Sequence, residues 1–328
     1  MGQKLLAIAV ALPMWLTGCA GGPDRSSPAP EVSEPASTER PPERIVAERG
    51  GFIPEGIEYD QTNRRFLVGS LTDGTVYQLH DDGALTPVVE DPELRSSIGI
   101  EVDEPRNRLL VANSDAAVFD GSVSGQAKLG VYELSSGEQI AMVDLAKSLS
   151  DASADWKYFA NDVTVGDDGT IYVTDSRTNT IYRVDGDYTP SVLYRFQPSE
   201  ERTDLMLNGL VFHPSGFLLV ADSASGDLYK VPVEDPGALT RVVLPEPVEG
   251  ADGVVWQSEA RLAIVSNSHS RVVALTSTDQ WVSAEIAGVA RFEGRATTAA
   301  VVAGDIYVVQ PHFDDQDPPT VERVTFQR

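Results

Sequence analysis

Four oxygen-bearing side chains recur at matched positions along this chain: Glu55 in EGIEYD, Asn161 in NDVTVG, Asn208 in NGLVFH and Asp252 in DGVVWQ. Each opens a short apolar run. Two carboxylates and two amides, with no sulfur or imidazole among them, form an all-oxygen donor set of charge −2. Such a set suits a hard divalent cation: Ca²⁺ first, with Mg²⁺, Mn²⁺ or Zn²⁺ as alternatives. A second reading competes with it. Asn-Gly and Asp-Gly are turn dipeptides, favoured where the backbone takes positive φ, so Asn208-Gly209 and Asp252-Gly253 would serve repeated turns. Glu55-Gly56 is not a favoured turn pair, and Asn161 is followed by Asp162. The residues alone leave both readings open.

Placing these side chains together requires a repeated scaffold. Ile98 in IGIEVD and Thr298 in TAAVVA complete a set of six register points, spaced by 43, 63, 47, 44 and 46 residues. About ten residues after each point comes a second apolar run (FLVGS, LLVANS, IYVTDS, LLVADS, LAIVSN, IYVVQP). A third follows (TVYQLH, LGVYEL, TIYRVD, DLYKVP, RVVALT, TVERVTF). Runs of four to six residues rich in Val, Ile, Leu and Tyr between Asp-Gly, Asn and Ser turns are strands. A unit recurring at this period indicates a propeller. The expected fold is all-β: six four-stranded antiparallel blades, the fourth strand least regular, with ERIVAERG adding an outer strand to the last blade. GEQIAMVDLAKSLSD is the best candidate for a short helical turn. The innermost strand of each blade lines the channel, so the six register residues would ring one mouth. The 63-residue interval marks an insertion that brings Trp156, Lys157, Tyr158 and Phe159 up to Asn161, and it is expected over that mouth.

The 328 residues include 50 Asp+Glu against 25 Lys+Arg, a net charge of −25. So acidic a protein repels phosphate backbones, which argues against nucleic-acid binding. Lys4, the apolar stretch LLAIAVALPMWL and then LTGC resemble a bacterial lipoprotein signal, with Cys19 as the lipidated residue. The apolar run is short for a membrane span of roughly 20 residues and suits an export signal. Cys19 is the single cysteine, so no disulfide forms within the chain. The expected organisation is a signal peptide over 1–18, a Pro/Ser-rich tether over 19–43 and a propeller over 44–328. The protein would be exported, monomeric and lipid-anchored in the cell envelope, facing the periplasm from the outer membrane.

The segments PEGIEYD, ANDVTVGDDGTIYV, NGLVFHPSGFLLVADS and GADGVVW resemble the signature positions of the senescence marker protein/gluconolactonase/luciferin-regenerating enzyme family, over about residues 45–328. The resemblance implies a six-bladed, calcium-dependent propeller that hydrolyses lactones. It implies Glu55, Asn208 and Asp252 as metal ligands, and Asn161 as a further ligand or substrate contact. Asp252 would double as the base that activates water. Two positions depart from the family's pattern. Phe159 stands where sugar-lactone members carry an Arg, and Ile57 with Tyr59 replaces a Pro and a Trp. Phe159, Trp156 and Tyr158 therefore point to a less polar small-molecule substrate, unless they only pack the loop. The alternative function is a non-catalytic envelope scaffold or ligand-binding protein.

Overall fold

The computed structural model describes residues 40–153, 155–197, 205–313 and 317–327. The export signal, Cys19 and most of the tether lie outside the described residues. Six antiparallel sheets of four strands account for nearly all the regular structure, and the helical turns are single 3₁₀ segments. The innermost strands of blades one to six are Ile57–Asp60, Ser96–Asp103, Tyr158–Val165, Leu207–His213, Ala251–Ser258 and Ala299–Val302. The ring closes as expected from ERIVAERG: Arg44–Val46 pairs antiparallel with the Thr320–Arg323 strand of blade six.

Each blade is covered on both faces by its neighbours, which is why its second strand is a near-continuous apolar run instead of an alternating one. Leu109, Leu110, Val111 and Ala112 are all fully buried, as are Leu218 to Ala221. The core is accordingly six apolar clusters, one at each junction between adjacent blades. At the hairpin end of the inner strands, buried ion pairs lock blades together. Arg65 bonds Asp60 at 2.9 Å and donates to the Leu134 carbonyl of blade two. Arg108 bonds Asp103 at 2.6 Å and donates to the Gly169 carbonyl of blade three.

GEQIAMVDLAKSLSD supplies the expected short helical turn, a 3₁₀ turn at Leu145–Ser148, directly after an outer strand, Gln139–Asp144. Its β-branched and apolar residues pair with Lys128–Glu133 along nearly their whole length. The insertion is partly structured: Ala116–Phe119 is a 3₁₀ turn, and Gly125–Gln126 pairs parallel with Tyr158–Phe159. That makes blade three five-stranded.

Candidate functional site

The register residues occupy a repeated distortion of the inner strands. Pairing skips two residues between Ser97 and Ile100, Ala160 and Val163, Leu207 and Leu210, and Ala251 and Val254. The skipped pairs are Ile98-Gly99, Asn161-Asp162, Asn208-Gly209 and Asp252-Gly253. Such bulges bend a strand and re-aim its side chains. They turn Asn161, Asn208 and Asp252 onto the walls of the central cavity.

The turn reading of the Asn-Gly and Asp-Gly pairs does not survive. None of Gly56, Gly99, Gly209 and Gly253 has a positive φ. They are glycine because the next blade's inner strand crosses close by. A Cβ on Gly56 would lie 2.1 Å from the Ile98 carbonyl oxygen, and one on Gly209 would lie 2.3 Å from that of Asp252. Blades three and six place a side chain at this position, Asp162 and the small Ala299. Asp162 fits because its carboxylate lies against Gly99, where a Cβ would meet Oδ1 at 2.4 Å. Its oxygens accept from the N–H of Val163 (3.0 Å) and of Leu210 in blade four (3.1 Å).

The cavity holds about 250 Å³ and is lined by Glu55, Asn161, Asn208, Asp252 and Thr298 around the register level. Ile98 is fully buried and belongs to the apolar junction of blades two and three. Asp162 sits beside this tier. Three residues further along each strand is a second tier, Glu58, Glu101, Thr164, Val211, Val255 and Val301, acidic on one side and apolar on the other. Glu58, Glu101 and Asp162 lie off the register position, so the repeat alone does not mark them as cavity residues. The detectable signal was a charged residue recurring in phase with the register point, at the same offset in EGIEYD and IGIEVD.

Five carboxylates thus face one cavity whose lining, among the described residues, includes no Lys, Arg or His. Burial, reinforced by mutual repulsion, makes their ionisation unfavourable. Burial pushes Asp162 up to about 7, against the two N–H bonds it accepts. Burial and the Asp162 charge push Asp252 up to about 7, opposed by hydrogen bonds from Asn208 and Asn267 and by the charge of Arg295. Glu58 rises to about 8, mainly by burial. Glu55 and Glu101 also rise well above the carboxylate range: burial leads in both, with Asp252 and Asp162 next for Glu55, and Glu58 and Asp162 next for Glu101.

The amides are oriented from behind. Asn161 Nδ2 donates to Ser176 Oγ (2.8 Å), which donates to the Leu207 carbonyl of blade four (2.5 Å). Asn208 Nδ2 donates to Ser223 Oγ (3.0 Å), which donates to the Ala251 carbonyl of blade five. One N–H of each amide is tied to the wall, the Asn208 amide also favours the charged form of Asp252, and the amide oxygens are the acceptors left for the cavity. No three His, Cys, Asp or Glu side chains among the described residues are grouped closely enough to hold a metal by themselves. A cation here would depend on the two amide oxygens together with Glu55 and Asp252. That donor set fits a hard, oxygen-seeking ion and not a soft one.

Phe159, Trp156 and Tyr158 do not line the cavity. Phe159 precedes the bulge and its ring goes into the junction of blades two and three, edge-on to Phe119 with centroids 4.7 Å apart. Arg177 stacks on Phe119 at 4.6 Å. Trp156 lies against Tyr158 and under Arg195. Of the histidines, His213 is buried against Phe217 and Trp256, with Nδ1 accepting from the Ser215 N–H.

No curated protein matches the sequence. Among solved structures, the major allergen Mala s 1 of Malassezia sympodialis superposes with a TM-score of 0.72 at 18% identity, covering 87% of this chain and 96% of the allergen. A putative gluconolactonase gives 0.59 at 16% identity, covering 87% and 94%. A luciferin-regenerating enzyme gives 0.61 at 12%, covering 86% and 94%. At these identities the likeness is one of fold. The sequence itself goes further, since residues 53–296 match the SMP-30/Gluconolactonase/LRE-like region. That match contains Glu55, Asn161, Asn208 and Asp252 and five of the six inner strands, and by it this chain belongs to the SMP-30/gluconolactonase/LRE-like family.

Proposed function

We propose that this protein is a divalent-cation-dependent hydrolase of a small lactone or related ester. The carrying observation is the channel tier in which two wall-anchored amides and two carboxylates, at equivalent points of four blades, converge on one acidic cavity. Glu55, Asn161, Asn208 and Asp252 would hold the ion, calcium being the first choice and Mg²⁺, Mn²⁺ or Zn²⁺ the alternatives. When bound, such an ion polarises an ester carbonyl and offsets the charge that develops on its oxygen.

The chain's own residues account for the proton traffic. Asp252 receives hydrogen bonds from Asn208 and Asn267 that favour its charged form, so it is placed to take a proton from an attacking water. The water oxygen bonds to the carbonyl carbon and the ring C–O bond breaks. The proton held on Asp252 then passes to the departing alkoxide, which leaves as the hydroxyl of the opened acid. The apolar side of the lower tier, Val211, Val255 and Val301, limits water on that flank. Phe159, Trp156 and Tyr158 take no part, because they pack blade three.

We further propose export and anchoring through a lipid on Cys19, with the propeller acting as a monomer in the envelope. Incorporation of labelled fatty acid, lost in Cys19→Ser, tests the anchor. For the hydrolase, a lactone and ester panel is assayed in calcium and in chelator. Turnover that needs calcium and disappears in Asn208→Ala and Asp252→Ala supports the proposal. Full turnover in chelator would remove the cation from the mechanism, and no turnover on any substrate with calcium points instead to a non-catalytic scaffold or ligand-binding propeller.

A further inference from the structure

Ladder register makes three residues equivalent at the end of the second strand. Ala160 pairs with Asp175, Leu207 with Asp222 and Ala251 with Ser266. The next residues, Ser176, Ser223 and Asn267, therefore back Asn161, Asn208 and Asp252 in turn. Each backing residue has two tasks: it serves the cavity side chain of its own blade, and it donates to a backbone carbonyl at or just before the start of the next inner strand. Ser176 donates to Leu207, Ser223 to Ala251, and Asn267 Nδ2 to Ala296 at 2.9 Å.

The identity of the backing residue follows the chemistry of the residue it backs. A serine hydroxyl has one proton and spends it on the next blade, so it can only accept from its own blade's side chain. That suits Asn161 and Asn208, which present an N–H. It fails for Asp252, which when ionised only accepts. A residue with two donors is required there, and the primary amide of Asn267 supplies both: one N–H goes to Ala296, and the other is left for Asp252, behind which the ladder register sets Asn267 and whose charged form Asn267 favours. The amide must then keep its oxygen turned away from Asp252. Arg295 enforces this, donating from Nε (3.1 Å) and Nη2 (2.9 Å) to Asn267 Oδ1, while its guanidinium rests over the Phe313 ring at 5.6 Å.

We infer that Asn267 is the positioning residue of Asp252, set by Arg295, and that it stands in place of the serine of blades three and four because its partner is a carboxylate. The pairing stands on the geometry of blade five. Its consequence for cation binding rests on the proposed function. Groups that orient a metal ligand are typically worth about 10–100-fold in affinity.

The test is a double-mutant cycle read in two ways. Asn267→Ser, Asp252→Asn and the double variant are melted in chelator. The double variant rebuilds the Asn–Ser pair of blades three and four. Asn267→Ser alone should lower Tm by about 2–4 °C, and the double variant should recover most of that loss. Additive effects in the cycle overturn the inference. In the second reading, calcium affinity is measured by chelator competition. Asn267→Ser should weaken it about 10–100-fold, and Arg295→Gln less. Combining the two should be no worse than Asn267→Ser alone, because Arg295 acts through Asn267. Independent effects of Arg295 and Asn267 overturn the relay. A wild-type protein that binds no cation while the melting cycle still shows coupling removes the metal from the proposed function and leaves the pairing intact.

Discussion

Removing metal should make the stability of this protein fall as the pH rises through neutrality. Asp162 and Asp252 have pKa values near 7 in the folded chain, against 3.8 when unperturbed, and Glu58 is near 8 against 4.5. Because these folded values are raised, the stability they favour is fully present below about pH 4. It is lost progressively as the pH rises through about 7, and through about 8 for Glu58. A shift of roughly three units corresponds to on the order of 4 kcal/mol per group. Asp162 and Asp252 repel each other, so together they contribute less than twice that. Even so, the loss is a large part of the roughly 5–15 kcal/mol that holds a domain folded. At about 2 °C per kcal/mol for a domain of this size, metal-stripped protein should melt about 10 °C lower at pH 8.5 than at pH 5.5. Surface carboxylates are ionised throughout that interval and add little slope. Calcium, competing with the protons, should restore more stability at pH 8.5 than at pH 5.5. Asp162→Asn, which keeps an acceptor for the Leu210 N–H, should flatten the slope in stripped protein. A melting temperature that stays constant from pH 5.5 to 8.5 without metal would refute the reasoning, since it would mean that the cavity carboxylates ionise without penalty.

Two further outcomes follow from packing. In Gly209→Ala the new Cβ lies about 0.7 Å inside the 3.0 Å that real contacts keep from the Asp252 oxygen. Stability should fall by about 1–3 kcal/mol, seen as a lower denaturation midpoint, and lactone turnover by about 100-fold because Asp252 is displaced. Phe159→Ala should cost about 3–5 kcal/mol of stability in the same denaturation measurement. It should leave the KM of the surviving folded protein near wild type, because the ring faces the junction of blades two and three.

The architecture was legible because apolar runs and turn residues repeat at a propeller's period, and ERIVAERG added the expected outer strand to the last blade. The register positions were legible for the same reason, Glu55, Asn161, Asn208 and Asp252 being the points where the repeat changes character. Other features depended on contacts between blades, which one strand's pattern does not carry. The glycines at 209 and 253 looked like turn residues, and only the crossing of the next inner strand shows why a Cβ is excluded. Phe159 looked like a channel residue because it lies two positions before Asn161. The bulge at Asn161-Asp162 changes the facing of the strand after Phe159, leaving its ring in the core. Nothing in the pattern of the second strands marks Ser176, Ser223 and Asn267, since their partners lie 15 residues back and in the next blade. Asp162 was visible as the charged residue among glycines and an alanine, yet the hydrogen bond it accepts from the Leu210 N–H belongs to the fold.

Whether the channel tier holds one divalent cation can be read from a crystal structure of the protein grown in calcium, with the ion identified by anomalous scattering. A single calcium is expected at the register level, with oxygens of Glu55, Asn161, Asn208 and Asp252 about 2.3–2.6 Å from it. Density showing only water among these four side chains, or calcium confined to the lower tier beside Glu58 and Glu101, would contradict it.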